Sequence, residues 1–207
     1  MTTQITPTTE LQAVNTMFSL IGASPVSTIE ESATGGIGSD VAIAKNILDE
    51  TSMSVQSQGW HFNIEKSVTI TLNDSSKAPL PTNCVHVEVA SPYQEVYFYT
   101  IRDGYVYDLE NKTDVFTTAP IVDYVLVQQF EHLPEYARRY IAAKAARRFA
   151  ARTVGSLELN KLALQDEQEA HVHFEQADAR ASDHNILTGN YNQYYIVNRG
   201  RYRRSNR

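Results

Sequence analysis

The apolar residues of this chain change their spacing twice, and that limits its architecture more than any other feature. Leu11, Val14, Met17, Phe18 and Ile21 recur at helical spacing, as do Ala44, Ile47, Leu48, Thr51 and Val55. From His61 the period becomes two: Phe62, Ile64, Val68, Ile70 and Leu72, then Val85, Val87 and Val89. Val96 and Phe98 continue it, with a register slip into Tyr99 and Ile101. Helical spacing returns after Leu133-Pro134-Glu135. Such a chain predicts an α+β fold: a four-helix bundle-like helical domain with an antiparallel β-rich insert between helices two and three, and an extended C-terminal arm. The expected boundaries are residues 1–60 with 131–185 for the helical domain, 61–130 for the insert and 186–207 for the arm.

Local signals place the element ends. Met1 to Thr8 is Thr-rich and expected to fray; Thr9 is a candidate N-cap, and Glu10 suits the positive end of the helix dipole. Gly22 ends the first helix and Ser24-Pro25 prevents its continuation. Ser32 to Ser39 reads as a glycine-containing loop, with Ser39 or Asp40 capping a helix that stops by Gly59. Trp60, the only tryptophan, follows; Trp60, Phe62 and Phe18 are expected core anchors. Turns are predicted at Asn73 to Pro81, Arg102-Asp103-Gly104 and Asn111-Lys112, and a last strand over Ile121 to Phe130. Pro134 opens a third helix, Gly155 breaks it, and Ser156 caps a fourth whose expected inner face is Leu159, Leu162, Ala163, Ala170, Phe174 and Ala177.

Chemistry is weakly signalled. Gly35, Gly36 and Gly38 follow no strand and precede no Gly-Lys-Ser/Thr, so they read as a loop and not as a phosphate cradle. His171 and His173, two apart on a helix, point to different faces and cannot form an i, i+4 metal pair. Cys84 is the single cysteine, which excludes an intramolecular disulfide, and in a strand it reads as a small core residue. Carboxylates are numerous, among them Asp103, Asp108, Asp114, Asp166, Glu167 and Glu169, and a glycosidase would need two of them across a cleft. No pairing of that kind is visible in the sequence. Expected catalytic, cofactor and metal residues are therefore none, and so is a small-molecule substrate. The N-terminus shows no basic and apolar leader, and no apolar run is long enough to cross a bilayer. Synthesis in a cytoplasm is the expectation.

Charge points to contact surfaces. The net charge is −6 although RGRYRRSNR, residues 199–207, holds five arginines and no acid, so the rest of the chain is more acidic still. An acidic body argues against sequence-specific DNA binding. Helix three carries Arg138, Arg139, Arg147 and Arg148, and helix four Glu158, Asp166, Glu167 and Glu169. These pair either within the chain, where exposed pairs stabilise by about 1 kcal/mol at most, or between copies in a ring. The arm interleaves Tyr191, Tyr194, Tyr195 and Tyr202 with Arg199, Arg201, Arg203 and Arg204. Tyrosine and arginine are enriched at interface hot spots, so this segment is a candidate contact with a partner or a neighbouring subunit.

LQAVNTMFSLIGASPVSTIE followed by NILDE and QSQGWHFNIE resembles the tail tubular protein A family, the head-to-tail adaptors of T7-like short-tailed phages. DGYVYDLENKTDVF is similar to the family's hairpin, and LPEYARRYIAAKAARRF to the helix after its β insert, so the resemblance covers about residues 10 to 190. It implies a structural virion protein without turnover, a dodecameric ring between the portal and the nozzle (tail tubular protein B). Tail fibres attach nearby in that arrangement, and genomic DNA passes through the lumen without specific binding. An adaptor with an added polysaccharide-degrading activity is the alternative.

Overall fold

In the computed structural model the described residues are 6–29, 37–90 and 98–182. The element order is α1 (Glu10–Leu20), α2 (Ile37–Gln56), β1 (Ile64–Thr69), β2 (Cys84–Val89), β3 (Tyr99–Arg102), β4 (Tyr105–Asp108), β5 (Ile121–Leu126), a 3-10 turn (Phe130–His132), α3 (Glu135–Thr153) and α4 (Leu157–Ala181). The fold is thus mixed α+β, with four helices and antiparallel sheets.

Helix α1 starts where its sequence can satisfy its first amides. Thr9 Oγ1 accepts from the Gln12 amide at 3.2 Å while Gln12 Oε1 accepts from the Thr9 amide at 3.1 Å, a reciprocal capping box. Thr8, expected to fray, is instead tied down: its amide and hydroxyl donate to the Glu135 carboxylate at 2.7 and 2.8 Å. Helix α2 begins at Ile37, ahead of the expected Ser39 or Asp40, so Gly38 lies in the helix and Asp40 in its first turn. Gly35 and Gly36 lie outside the described residues. The α2 face read from the sequence is the buried one: Ala44, Ile47, Leu48, Thr51 and Val55 are all at most 2% exposed.

Helix α3 packs against α1, α2 and α4. Its alanines allow this, because Ala137, Ala145 and Ala146 at the contact faces leave room for neighbouring backbones to approach. The resulting core joins Val14, Met17 and Phe18 of α1 to Ile141 and Phe149 of α3 and to Phe174 of α4. Gly155, in the left-handed region at φ 66°, turns the chain from α3 into α4, and Ser156 Oγ accepts from the Leu159 amide at 3.4 Å.

The strands build two small sheets. β5 is central in a three-stranded sheet of order β1-β5-β2, antiparallel throughout, and β3 pairs with β4. Asp103 and Gly104 take φ of 51° and 77°, as a tight two-residue hairpin turn requires. A second core gathers Ile70, Ala78, Val87, Val106, Val122 and Tyr124. The last strand is shorter than the sequence suggested. β5 stops at Leu126 because the Gln128 backbone is claimed by a side chain, and Phe130 enters the 3-10 turn instead.

That claim comes from Gln56, which is fully buried. Its Oε1 accepts from the Gln128 amide at 2.8 Å, and its Nε2 donates to the Gln128 carbonyl at 3.0 Å and to Ser52 Oγ at 2.9 Å. Asn63 completes the joint, its Nδ2 donating to the carbonyls of Gln56 and Leu126 at 2.9 and 3.0 Å. Two amide side chains thus mimic backbone where the end of α2 meets the end of β5.

Candidate assembly interface

The α3 arginines divide by what they touch. Arg138 is buried, and its guanidinium serves the backbone: it donates to the carbonyls of Leu133 at 2.7 Å, Thr8 at 2.9 Å and Glu131. Arg147 bonds Glu167 across the α3–α4 contact, with the glutamate side chain only 11% exposed. Arg139 pairs with Glu135 one turn earlier at 2.8 Å, and Arg148 donates to Thr51 Oγ1 at 3.1 Å. Arg138, Arg139, Arg147, Arg148 and Glu167 therefore all find partners inside the chain. Glu158, Asp166 and Glu169 point outward from α4.

The same helix exposes apolar side chains. Leu162, expected on the inner face, is 60% exposed, and Leu157, Leu164 and Val172 are exposed with it. Leu157, Leu162 and Val172 lie away from the face that buries Ala163, Glu167 and Phe174, and Leu164 flanks it. Phe174 is fully buried within a ring of aromatics: Trp60 meets it edge-on at 4.2 Å and Tyr140 stacks on it at 5.1 Å. Of the expected anchors, Phe18 is buried, whereas Trp60 and Phe62 are only partly so and cover this ring. Trp60 Nε1 donates to the Val55 carbonyl at 2.8 Å, which fixes the indole against the end of α2. A periodicity count could not separate Phe174 from Trp60, because both sit at apolar positions.

A second exposed apolar group lies at the open end of the β3–β4 hairpin. Phe98 is 60% exposed and accepts through its carbonyl from the Leu109 amide at 2.8 Å, and Leu109 and Val115 are exposed as well. Val96 and the tyrosine–arginine arm (Tyr191 to Arg204) lie outside the described residues.

The chemically richest hollow is an open one of about 420 Å³ on the face of the three-stranded sheet, lined by Lys66, His86, Glu88, Asp123 and Tyr124. Glu88 and Asp123 are register partners on adjacent strands, so two carboxylates stand side by side. Glu88 meets His86 at 2.8 Å with both side chains more than half exposed, and Asp123 accepts from the Ser67 amide at 2.7 Å, closing the β1 bulge. Burial, with a hydrogen bond to Glu65, pushes the Tyr124 hydroxyl up to about 12, so it stays a proton donor. Acid catalysis on a sugar needs a carboxyl held up toward neutrality. The carboxyls among the described residues that depart clearly from their ordinary values, Asp108, Asp114 and Glu135, all move down.

The remaining carboxylates and nucleophiles have structural occupations. Asp108 is buried and accepts from the amides of Glu110 and Asn111 and from the Asn111 side chain at 2.8 to 3.0 Å. Asp114 pairs with Lys77, and Asp103 occupies the hairpin turn. Burial pushes the Cys84 thiol up, against a contact to the His86 carbonyl, so it stays protonated. His171 lies over Tyr140 at 4.9 Å and His173 is exposed. Among the described residues no three histidine, cysteine or acidic side chains come together as metal ligands, and no helix is long and apolar enough to cross a membrane.

Comparison with known proteins matches these elements to one family. A family model described as tail tubular protein matches residues 11–184. Tail tubular protein A of Klebsiella phage KP34 is 30% identical over 134 residues, 64% of this chain and 67% of that protein.

Proposed function

We propose a head-to-tail adaptor role for this chain, which belongs to the tail tubular protein family. As a member of that family it is a structural protein of a bacteriophage virion, located in the tail and in contact with other tail components. In the finer reading, copies form a dodecameric ring between the portal and the nozzle protein, with fibres attached nearby and the genome passing through the lumen. The observation that carries it is the span of the family match, from the first turn of α1 to the end of α4.

The physical features support that reading. Residues 1–60 and 131–185 would form the wall of the ring. The β-rich residues 61–130 would present a separate contact surface, with Phe98 and Leu109 at its hairpin end. An acidic body repels DNA phosphates, so a lumen lined by it lets the duplex slide. Turnover is not part of the role: Glu88 and Asp123, the best-placed carboxylates, sit in an open hollow with structural partners. Residues 186–207 would contact the portal or a neighbouring subunit.

The test is reconstitution. Particles assembled without this protein should regain tails when the purified full chain is added. A chain truncated after Gly189 should keep its circular dichroism yet dock less well on the portal. Tails restored equally by both would overturn the role of the arm, and failure of the full chain to join the two halves would overturn the adaptor reading.

A further inference from the structure

We propose that the outward face of α4 is the landing surface for residues 190–207 of a neighbouring copy, so that an exchanged arm links one copy to the next. The proposal rests on the multi-copy reading above and names the surface that reading leaves open.

The surface is unusual for a helix already packed on one side. Leu157, Leu162, Leu164 and Val172 are 78%, 60%, 37% and 49% exposed. At about 100° per residue, Leu157, Leu164 and Val172 fall within about 80° of one another, and Leu162 lies about 80° further round. Single exposed apolar side chains are ordinary, whereas four spread over the solvent side of one helix, three of them within about 80°, mark a candidate contact surface.

The charges around this face select the occupant. Glu158, Glu169 and Glu175 stand among the apolar positions, against Lys161 beside Leu157 and Leu164 and Arg180 in the last turn, so acids outnumber bases there. Glu169 and Glu175 face only His173 and His171, at 3.8 and 3.6 Å. No lysine or arginine among the described residues forms an ion pair with any of the three. A partner that brings cations together with apolar rings therefore complements this face. Residues 190–207 carry five arginines, four tyrosines and no acid, and no other stretch of the chain has that composition.

Reach and direction favour a neighbour's arm. Eighteen extended residues span up to about 60 Å, more than the about 37 Å length of α4. The chain leaves α4 at Ser182, at the opposite end from Leu157 and Leu162. An arm from the next copy reaches those leucines without doubling back along its own helix.

Charge-swapped full-length chains test this. One variant carries R199E, R201E, R203E and R204E in the arm; the other carries E158K, E169K and E175K on α4. The three α4 positions are exposed, and circular dichroism with a melting curve verifies the fold of each variant. Sedimentation of the unaltered chain should show self-association that weakens as salt is raised. Each variant alone should lose it, because like charges then face each other, and mixing the two should restore it. L157S with L164S should weaken association without any change in charge.

An unaltered chain that stays monomeric at every concentration overturns the exchange. So does a pair of variants whose mixture associates no better than either alone, the result expected if each arm lies on its own helix. Portal docking is measured separately. Variants that dock normally on the portal but fail to associate even when mixed would sink the exchange and leave the adaptor role standing.

Discussion

Gln56 shows how much one side chain decides. It is fully buried and spends both ends of its amide on backbone groups, so an apolar replacement leaves the Gln128 amide and carbonyl without partners. Gln56→Leu should destabilise the protein by about 2–3 kcal/mol, read from urea unfolding at a constant m-value. A loss below the error of the fit would show that water replaces the amide. Phe174 makes a comparable case for packing. It is fully enclosed while Trp60 is only partly covered, so Phe174→Ala should cost about 3–5 kcal/mol and Trp60→Ala less, despite the larger ring. Equal losses would mean the indole bond to Val55 matters as much as the ring's burial. Arg138 belongs to the same class of internal fasteners: its guanidinium holds three carbonyls together where α1 meets α3.

At the scale of elements, carboxylates are the fasteners, and they give a pH dependence. Burial alone would raise the Asp108 carboxyl, but hydrogen bonds from Asn111 and from the Glu110 amide outweigh it and hold the group below its ordinary value of 3.8. Burial raises Glu135 as well, and is outweighed by Arg139 and Thr8, leaving it below 4.5. A folded-state value below the unfolded one means that the stabilisation is complete above the unfolded value and is lost as pH falls through the folded one. The melting temperature should therefore be level near neutrality and drop below about pH 4, with a gentler slope in Asp108→Asn and Glu135→Gln. An unchanged slope in both variants would assign the acid sensitivity to other groups. The Thr9 cap, Ser156 cap and Asp103-Gly104 turn are legible in the sequence because each is a local pattern with a local cause. The short end of β5 and the early start of α2 are not. β5 is ended by Gln56, and a contact across 72 residues leaves no trace in periodicity. Leu162 departs from its expected inner position for a related reason: α4 carries apolar residues on two faces, and the sequence does not say which one is covered.

For the whole molecule, the same distinction separates what a chain reveals about its contacts. Helix three's arginines and helix four's acids were visible as complementary, yet only three dimensions show that Arg147 and Glu167 meet internally while Glu158 and Glu169 do not. The two cores raise the further question of whether they melt together. The helical core is the larger, and the β core of Ile70, Ala78, Val87, Val106, Val122 and Tyr124 touches it through a narrow joint of Gln56, Asn63 and Gly59. Small cores joined by few contacts open as separate units in native-state exchange. Val122→Ala, a cavity at 0% exposure, should therefore speed amide exchange in β2 and β5 while α1 and α3 keep their protection. If the buried amide pair carries the coupling, adding Gln56→Leu should widen that difference. Uniform acceleration through both regions would instead show a single cooperative unit. In the proposed adaptor, the ring wall and its contact surface would then have to move as one body when the tail is attached.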